Sequence, residues 1–139
     1  MSRTFNAPIP DSRFLTSDSP LSWLEVLSVH GSRRGIHVTS TAASVLLDFG
    51  LSSYVNRREG TRIFYEGEGK RGDQTPTRGN AGLLECLETR RSVRVFERVR
   101  PGEWFDRELY NVVDVVYRNA PTERRMVFEF TLESVNARG

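Results

Sequence analysis

Cysteine is almost missing from this chain. Cys86 is the only one among 139 residues, so no disulfide can form within it, and with only His30 and His37 beside it no Cys/His cluster of zinc spacing can be assembled. A reducing, cytoplasmic setting is expected. Lysine is just as scarce: Lys70 stands alone, and arginine supplies 19 of the 20 basic side chains. Net charge is only +2, too little by itself to demand a polyanionic partner. Arginine's planar fork suits phosphate and base stacking, although a GC-rich coding bias yields the same composition. Long apolar runs are absent too. The first residues, MSRTFNAPIPDSRF, hold no apolar core of signal-peptide type, and nowhere do about 18 apolar residues run together as a membrane span requires. A soluble protein of one domain over 1–139 is expected, large enough to bury a core without disulfide or metal.

Residues 1–18, with Pro8, Pro10 and Asp11, read as an irregular arm. Ser19-Pro20 offers a cap and a first-turn proline ahead of LSWLEVLSVHG, where Trp23, Leu24 and Leu27 predict a short helix closed by Gly31. Strands are expected at IHV, at SVLLDFG over 44–50 and at RIFYEG over 62–67. Leu83, Leu84 and Leu87 place a helix over 79–90. Strands resume with SVRVFERV, LYNVVDVVY and RMVFEFTLESV. In the last, Met126, Phe128, Phe130 and Leu132 alternate with Val127, Glu129, Thr131 and Glu133, as in an antiparallel strand with one buried side. About six strands and two short helices make an α+β domain, mainly β, and a closed or nearly closed barrel removes exposed edges most economically.

The stretch YEGEGKRGDQ, Tyr65 to Gln74, carries the chemistry. Gly67-x-Gly69-x-x-Gly72 matches a dinucleotide fingerprint after a strand, but Asp73-Gln74-Thr75-Pro76 intervenes before any helix, so no helix N-terminus is there to take a pyrophosphate. A P-loop fails because Arg71, not Ser or Thr, follows Lys70. Glu66, Glu68 and Asp73 could form a catalytic set, yet Lys70 and Arg71 sit among them, and a solvated loop is favoured. Cys86, beside Leu87, reads as a small packed residue. A pocket for a planar base remains. Tyr65 ends a strand and is followed by glycines that admit a close backbone approach; Tyr54 is a candidate second ring, with Asn56 and Glu59 between them as hydrogen-bonding groups.

The succession GIHVTSTAASVLLDFGLSSY, YEGEGKRGDQTPTRGNAGLLECLETRRSVRVFERV, ELYNVVDVVY and MVFEFTL resembles the SRA domain (SET- and RING-associated, also called YDG), in the bacterial type found with HNH restriction nucleases, over residues 35–134. The resemblance implies a PUA-like, twisted antiparallel β-barrel with two or three short helices that binds DNA and flips 5-methyl- or 5-hydroxymethylcytosine between two aromatic rings. By position, Tyr65 is one ring and Tyr54 the other. Backbone groups of Glu66 and Gly67 meet the base, and Gly69, Asp73, Gln74 and Asn80 organise the loop beside it. Arg57, Arg58, Lys70, Arg71 and Arg78 would hold phosphates or fill the gap the base leaves.

Three departures stand out. The family aspartate that meets the cytosine edge falls within VNRREGTR, where Asn56, Arg57 or Glu59 can align; Glu59 is favoured because a carboxylate accepts the exocyclic amine proton. Asp106-Arg107-Glu108 stands where the family has Tyr-Asp-Gly. Only Lys70, Arg71 and Gly72 separate the glycines from Asp-Gln, where eukaryotic members carry a long insertion. The HNH-type histidines are absent, so the implied protein is a reader that works with a separately encoded nuclease or effector, and no cofactor or metal is expected. Two other readings stay open: a nuclease or base-processing hydrolase using Glu66, Glu68 and Asp73, and an RNA or modified-nucleotide binder on the same barrel.

Overall fold

The computed structural model describes residues 19–48 and 56–137; the arm over 1–18 and Tyr54 lie outside the described residues. Helix α1 (Trp23–His30) starts later than Ser19-Pro20 suggests. Ser22 is the cap: its Oγ accepts from the Glu25 amide at 3.2 Å, and Glu25 Oε1 accepts from the Ser22 amide at 2.8 Å. This reciprocal box outcompetes the proline signal because Leu21 is already committed to a β-bridge with Trp104.

The strands are β1 (Ile36–Val38), β2 (Ala43–Leu47), β3 (Asn56–Glu59), β4 (Arg62–Glu66), β5 (Ser92–Arg100), β6 (Glu103–Asn119) and β7 (Met126–Ser134), with helix α2 (Arg78–Thr89) between β4 and β5. They form one seven-stranded sheet in the order β1-β2-β5-β6-β7-β4-β3. All pairs are antiparallel except β2 with β5. A parallel pair needs a long crossover, and the segment that holds β3, β4 and α2 supplies it. Strand β3 escapes sequence reading because Asn-Arg-Arg-Glu is polar throughout and mostly exposed on an edge.

The sheet curls on itself. Tyr65 on β4 donates its hydroxyl to the backbone oxygens of Leu46 on β2, at 3.0 Å, and of Gly35, just before β1, at 3.3 Å. Three strands separate β4 from β2 in the sheet order, so only strong curvature brings them together. Inside lies one apolar cluster that includes Val45, Ile63, Val93, Val112 and Phe130, closed from one side by Leu83 and Cys86 of α2. Helix α2 sits close on β1: a Cβ at Gly82 would lie 2.7 Å from Val38 Cβ. A second cluster joins Leu21, Val26, Phe96 and Trp104.

Between β5 and β6 the register shifts, with Arg94 opposite Leu109 and Phe96 opposite Asp106. The extra residue is accommodated by Glu108 at φ 68°, and the Asp106 carboxylate accepts from the Glu108 amide at 2.8 Å. The last position of the missing Tyr-Asp-Gly triplet is therefore left-handed.

Candidate functional site

The glycine loop after β4 is held by side chains that meet its backbone. Gln74, buried, donates to the oxygens of Gly67 at 2.7 Å and Gly69 at 3.2 Å and accepts from the Phe128 amide at 2.9 Å. Asn80, at the start of α2, accepts from the Glu68 amide at 2.8 Å and donates to the Glu68 oxygen at 2.9 Å. The Glu68 carboxylate accepts from the Gly79 amide at 2.9 Å, where a negative charge meets the N-terminus of α2. Asp73 accepts from the Met126 amide at 2.7 Å. Gly69 and Gly72 take φ of 121° and 65°, conformations that side chains resist. Gly67 is excluded from bearing a Cβ for another reason, since that atom would lie 2.6 Å from Asn80 Oδ1.

Arg125 completes the loop and has no signal in the sequence. Only 9% exposed, it donates to the oxygens of Gly69 at 2.7 Å and Gly72 at 3.2 Å, and it pairs with Glu66 at 3.3 Å and Glu123 at 2.6 Å. Three of these bonds reach the loop and its Glu66 carboxylate and the fourth holds Arg125 to Glu123, which fixes the loop against the β6–β7 connection.

Two cavities meet at Arg33, Gly35 and Tyr65. The first, about 510 Å³, is polar, and Arg33, Arg34, Lys70, Arg71 and Arg78 line it. Glu66, Glu68 and Asp73 line it as well, but each carboxylate is engaged, by Arg125, the Gly79 amide and the Met126 amide. Cationic charge dominates that cavity. The second, about 440 Å³, has Leu46, Tyr65, Trp23 and Trp104 on its walls, with Arg33, Asp48, Asn56 and Arg98 as its polar side chains. Asp48 and Asn56 bracket the segment that contains Tyr54.

Strand parity separates the candidates on β3. Asn56 lies opposite Tyr65, so the two share a face; its Oδ1 accepts from the Glu66 amide at 3.1 Å, and it lines the second cavity. Glu59 lies opposite Arg62, three positions along, and therefore on the other face. There it pairs with Arg57 at 3.0 Å. Glu59, favoured from the sequence for the base edge, is thus not on the lining of either cavity. Arg57 also pairs with Glu129 at 3.0 Å and lies 4.1 Å above the Phe64 ring. Burial pushes the Glu129 carboxyl up, but Arg118 and Arg57 outweigh it and hold it below its ordinary range. Arg58 pairs with Glu97 at 3.2 Å. Neither Arg57 nor Arg58 is on the lining of the two cavities, unlike Lys70, Arg71 and Arg78.

The loop that brings Arg33, Arg34 and Gly35 to this place is held by histidines. His30, buried, meets the Arg34 oxygen through Nε2 and the Ser44 hydroxyl through Nδ1, both at 2.6 Å. A carbonyl only accepts, so Nε2 carries the proton and Nδ1 accepts from Ser44. Burial lowers the pKa of His30, with His37 adding to the effect and the bond to Arg34 opposing it. Gly35 permits the approach of Tyr65, because a Cβ there would lie 3.1 Å from the tyrosine oxygen. The Gly-Ile-His motif was the available signal for Gly35, whereas Asp48, Arg98 and Trp104 had none.

The model of the ScoMcrA-like SRA domain matches residues 24–138, and the chain belongs to that family. No curated protein matches it in sequence. Among solved structures it is similar to the SRA domain of SUVH5 in complex with methylated CHH DNA, with a TM-score of 0.74 at 20% identity over 88% of this chain and 89% of that one. KRYPTONITE in complex with mCHH DNA, an H3(1-15) peptide and SAH gives a TM-score of 0.75 at 18% identity, over 97% of this chain and 34% of that one. The modification-dependent TagI restriction endonuclease gives 0.70 at 22% identity, over 87% and 51%. The chain thus spans about a third of KRYPTONITE and half of TagI.

Proposed function

We propose that the protein reads modified cytosine in DNA, 5-methyl- or 5-hydroxymethylcytosine, by turning the base out of the duplex and seating it against Tyr65. One observation carries this reading: Tyr65 lines both a cavity rich in cations and one with aromatic walls. The cationic side suits phosphates, which position the protein without reading sequence. The aromatic side suits a ring. Extrusion costs a few kcal/mol, and each stacked face returns about 1–3 kcal/mol. Asn56 spends its oxygen on the Glu66 amide, so its Nδ2 faces the ligand as a donor and selects an acceptor such as cytosine N3 or O2. Tyr54, in the bracketed segment, supplies the opposing ring. Glu66, Glu68 and Asp73 are spent on holding the loop, which favours binding over catalysis and leaves cleavage to a nuclease partner. Membership of the SRA family and the methylated DNA in the SUVH5 and KRYPTONITE complexes support the same ligand.

The test is duplex binding with cytosine, 5-methylcytosine or 5-hydroxymethylcytosine at one site. Tyr65→Ala lowers affinity for modified duplexes by about 1–3 kcal/mol through the lost stack, while Tyr65→Phe, which keeps the ring, retains most of it. Equal affinity across the three duplexes, unmoved by Tyr65→Ala, would sink the proposal.

A further inference from the structure

The C-terminal half of β6 is paired on one side only. Its neighbour β5 begins opposite Asn111, so residues 112–119 have β7 along one edge and, among the described residues, no strand along the other. Ala120 donates to the Arg125 oxygen at 2.8 Å, and alternation from that bond turns the amides and oxygens of Asn119, Tyr117 and Val115 toward the open edge. The register shift between Val112 and Asp114 precedes this stretch and leaves it regular. Apolar side chains are exposed along it: Val113, Val116 and Tyr117 at 41, 43 and 46%. Tyr117 also anchors the strand, packing on Phe128 with ring centres 4.7 Å apart and donating its hydroxyl to the Gln74 oxygen at 2.9 Å. An edge kept free is usually blunted by lysine or proline. Here the charges are Asp114 and Arg118, of opposite sign and flanking Val116 on one face.

That pattern complements itself. Two copies of the strand related by a two-fold axis at Val116 run antiparallel. Val115 then faces Tyr117 of the second copy, so that outward-turned backbone groups meet, and Asp114 faces Arg118 twice. An axis at Val115 would set Asp114 against Val116, and one at Tyr117 would set Val116 against Arg118; the Val116 axis joins charge to charge. The Asp114 carboxylate has no partner among the described residues. Arg118 donates to Glu129 at 2.8 Å and to the Asn119 oxygen at 2.9 Å, and its guanidinium has further N–H groups for a second carboxylate. Arg57 holds Glu129 as well, at 3.0 Å. We infer that this edge takes a second copy of the chain, β6 against β6, so that the sheet continues from one copy into the other. In this register the second copy's chain beyond Arg118 runs toward a cavity of about 400 Å³ lined by Leu87, Arg90, Asn111, Val112 and Val113, which extends the contact past the strand. The inference is independent of what Tyr65 binds.

Sedimentation equilibrium over a range of protein concentrations tests it. The wild type shows a monomer–dimer equilibrium. Asp114→Arg and Arg118→Glu each set like charges face to face twice across the axis, and each weakens the dimer by about tenfold or more. In an equimolar mixture of the two variants opposite charges meet again, and the dimer returns as a heterodimer. Should Arg118→Glu fail to fold beside Glu129, Val116→Lys serves instead: it brings two ammonium groups together on the axis and abolishes the dimer. A wild type that is monomeric throughout overturns the inference. So does a dimer that survives Asp114→Arg and Val116→Lys, or a mixture of folded variants that stays monomeric.

Discussion

At Glu108 the chain places a side chain where the backbone wants none. With φ at 68°, a non-glycine residue pays about 1–2 kcal/mol relative to a right-handed conformation. The bulge survives because Asp106 accepts from the Glu108 amide and pairs with Arg94. That carboxylate is buried, which pushes its pKa up against the opposing pull of the amide and of Arg94. Glu108→Gly is expected to raise stability by about 0.5–1 kcal/mol, measured as a shift in the urea midpoint with an unchanged slope. An unchanged or lower midpoint would show that the side chain repays its strain. At this scale the sequence is unevenly legible. Tyr65, Gln74 and Asn80 were visible in the sequence because their motifs are ordered. Asn56 and Glu59 could not be told apart there, since their faces follow from a strand pairing that polar residues do not announce. Arg125 lies 59 positions from Glu66, and nothing local marks an arginine that will fold onto a distant turn.

Helix α2 is the element where propensity and packing disagree. Gly79 and Gly82 sit in its first two turns, and in an exposed helix alanine would be better by up to about 1 kcal/mol at each. Here a Cβ at Gly82 would meet Val38 Cβ at 2.7 Å, and one at Gly79 would meet Ile36 Cβ at 2.8 Å. Gly82→Ala is therefore expected to destabilise by about 1–3 kcal/mol through overpacking, seen as a lower thermal midpoint; a higher midpoint would mean that α2 can lift off β1. The body of this helix was legible from its leucines. Its tight seating was not, because a glycine looks the same whether it breaks a helix or lets it approach a strand. In the same way β6 runs for 17 residues where alternation revealed only its middle, since the bulge at Glu108 interrupts the period of two.

On the scale of the whole molecule, the sheet is held closed near the site by buried polar groups, and their protonation bears on stability. His30 has a folded pKa below its ordinary 6.5, so the folded state binds its proton less readily than the unfolded one. Stability is thus full above pH 6.5 and declines as pH falls below it, until the lowered folded value is passed. Guanidinium titrations at a series of pH values are expected to show that decline, flattened in His30→Gln; an identical decline in the variant would assign it to other groups. Fold class was readable from strand alternation and element count. The parallel pairing of β2 with β5 was not, because it depends on a crossover whose first strand is polar. The Tyr65 hydroxyl ties β4 to β2 and to Gly35, and the residue lines both cavities. Tyr65 therefore serves as a latch on the barrel, and under the proposed reading one side chain fastens the sheet with its hydroxyl and meets the guest with its ring.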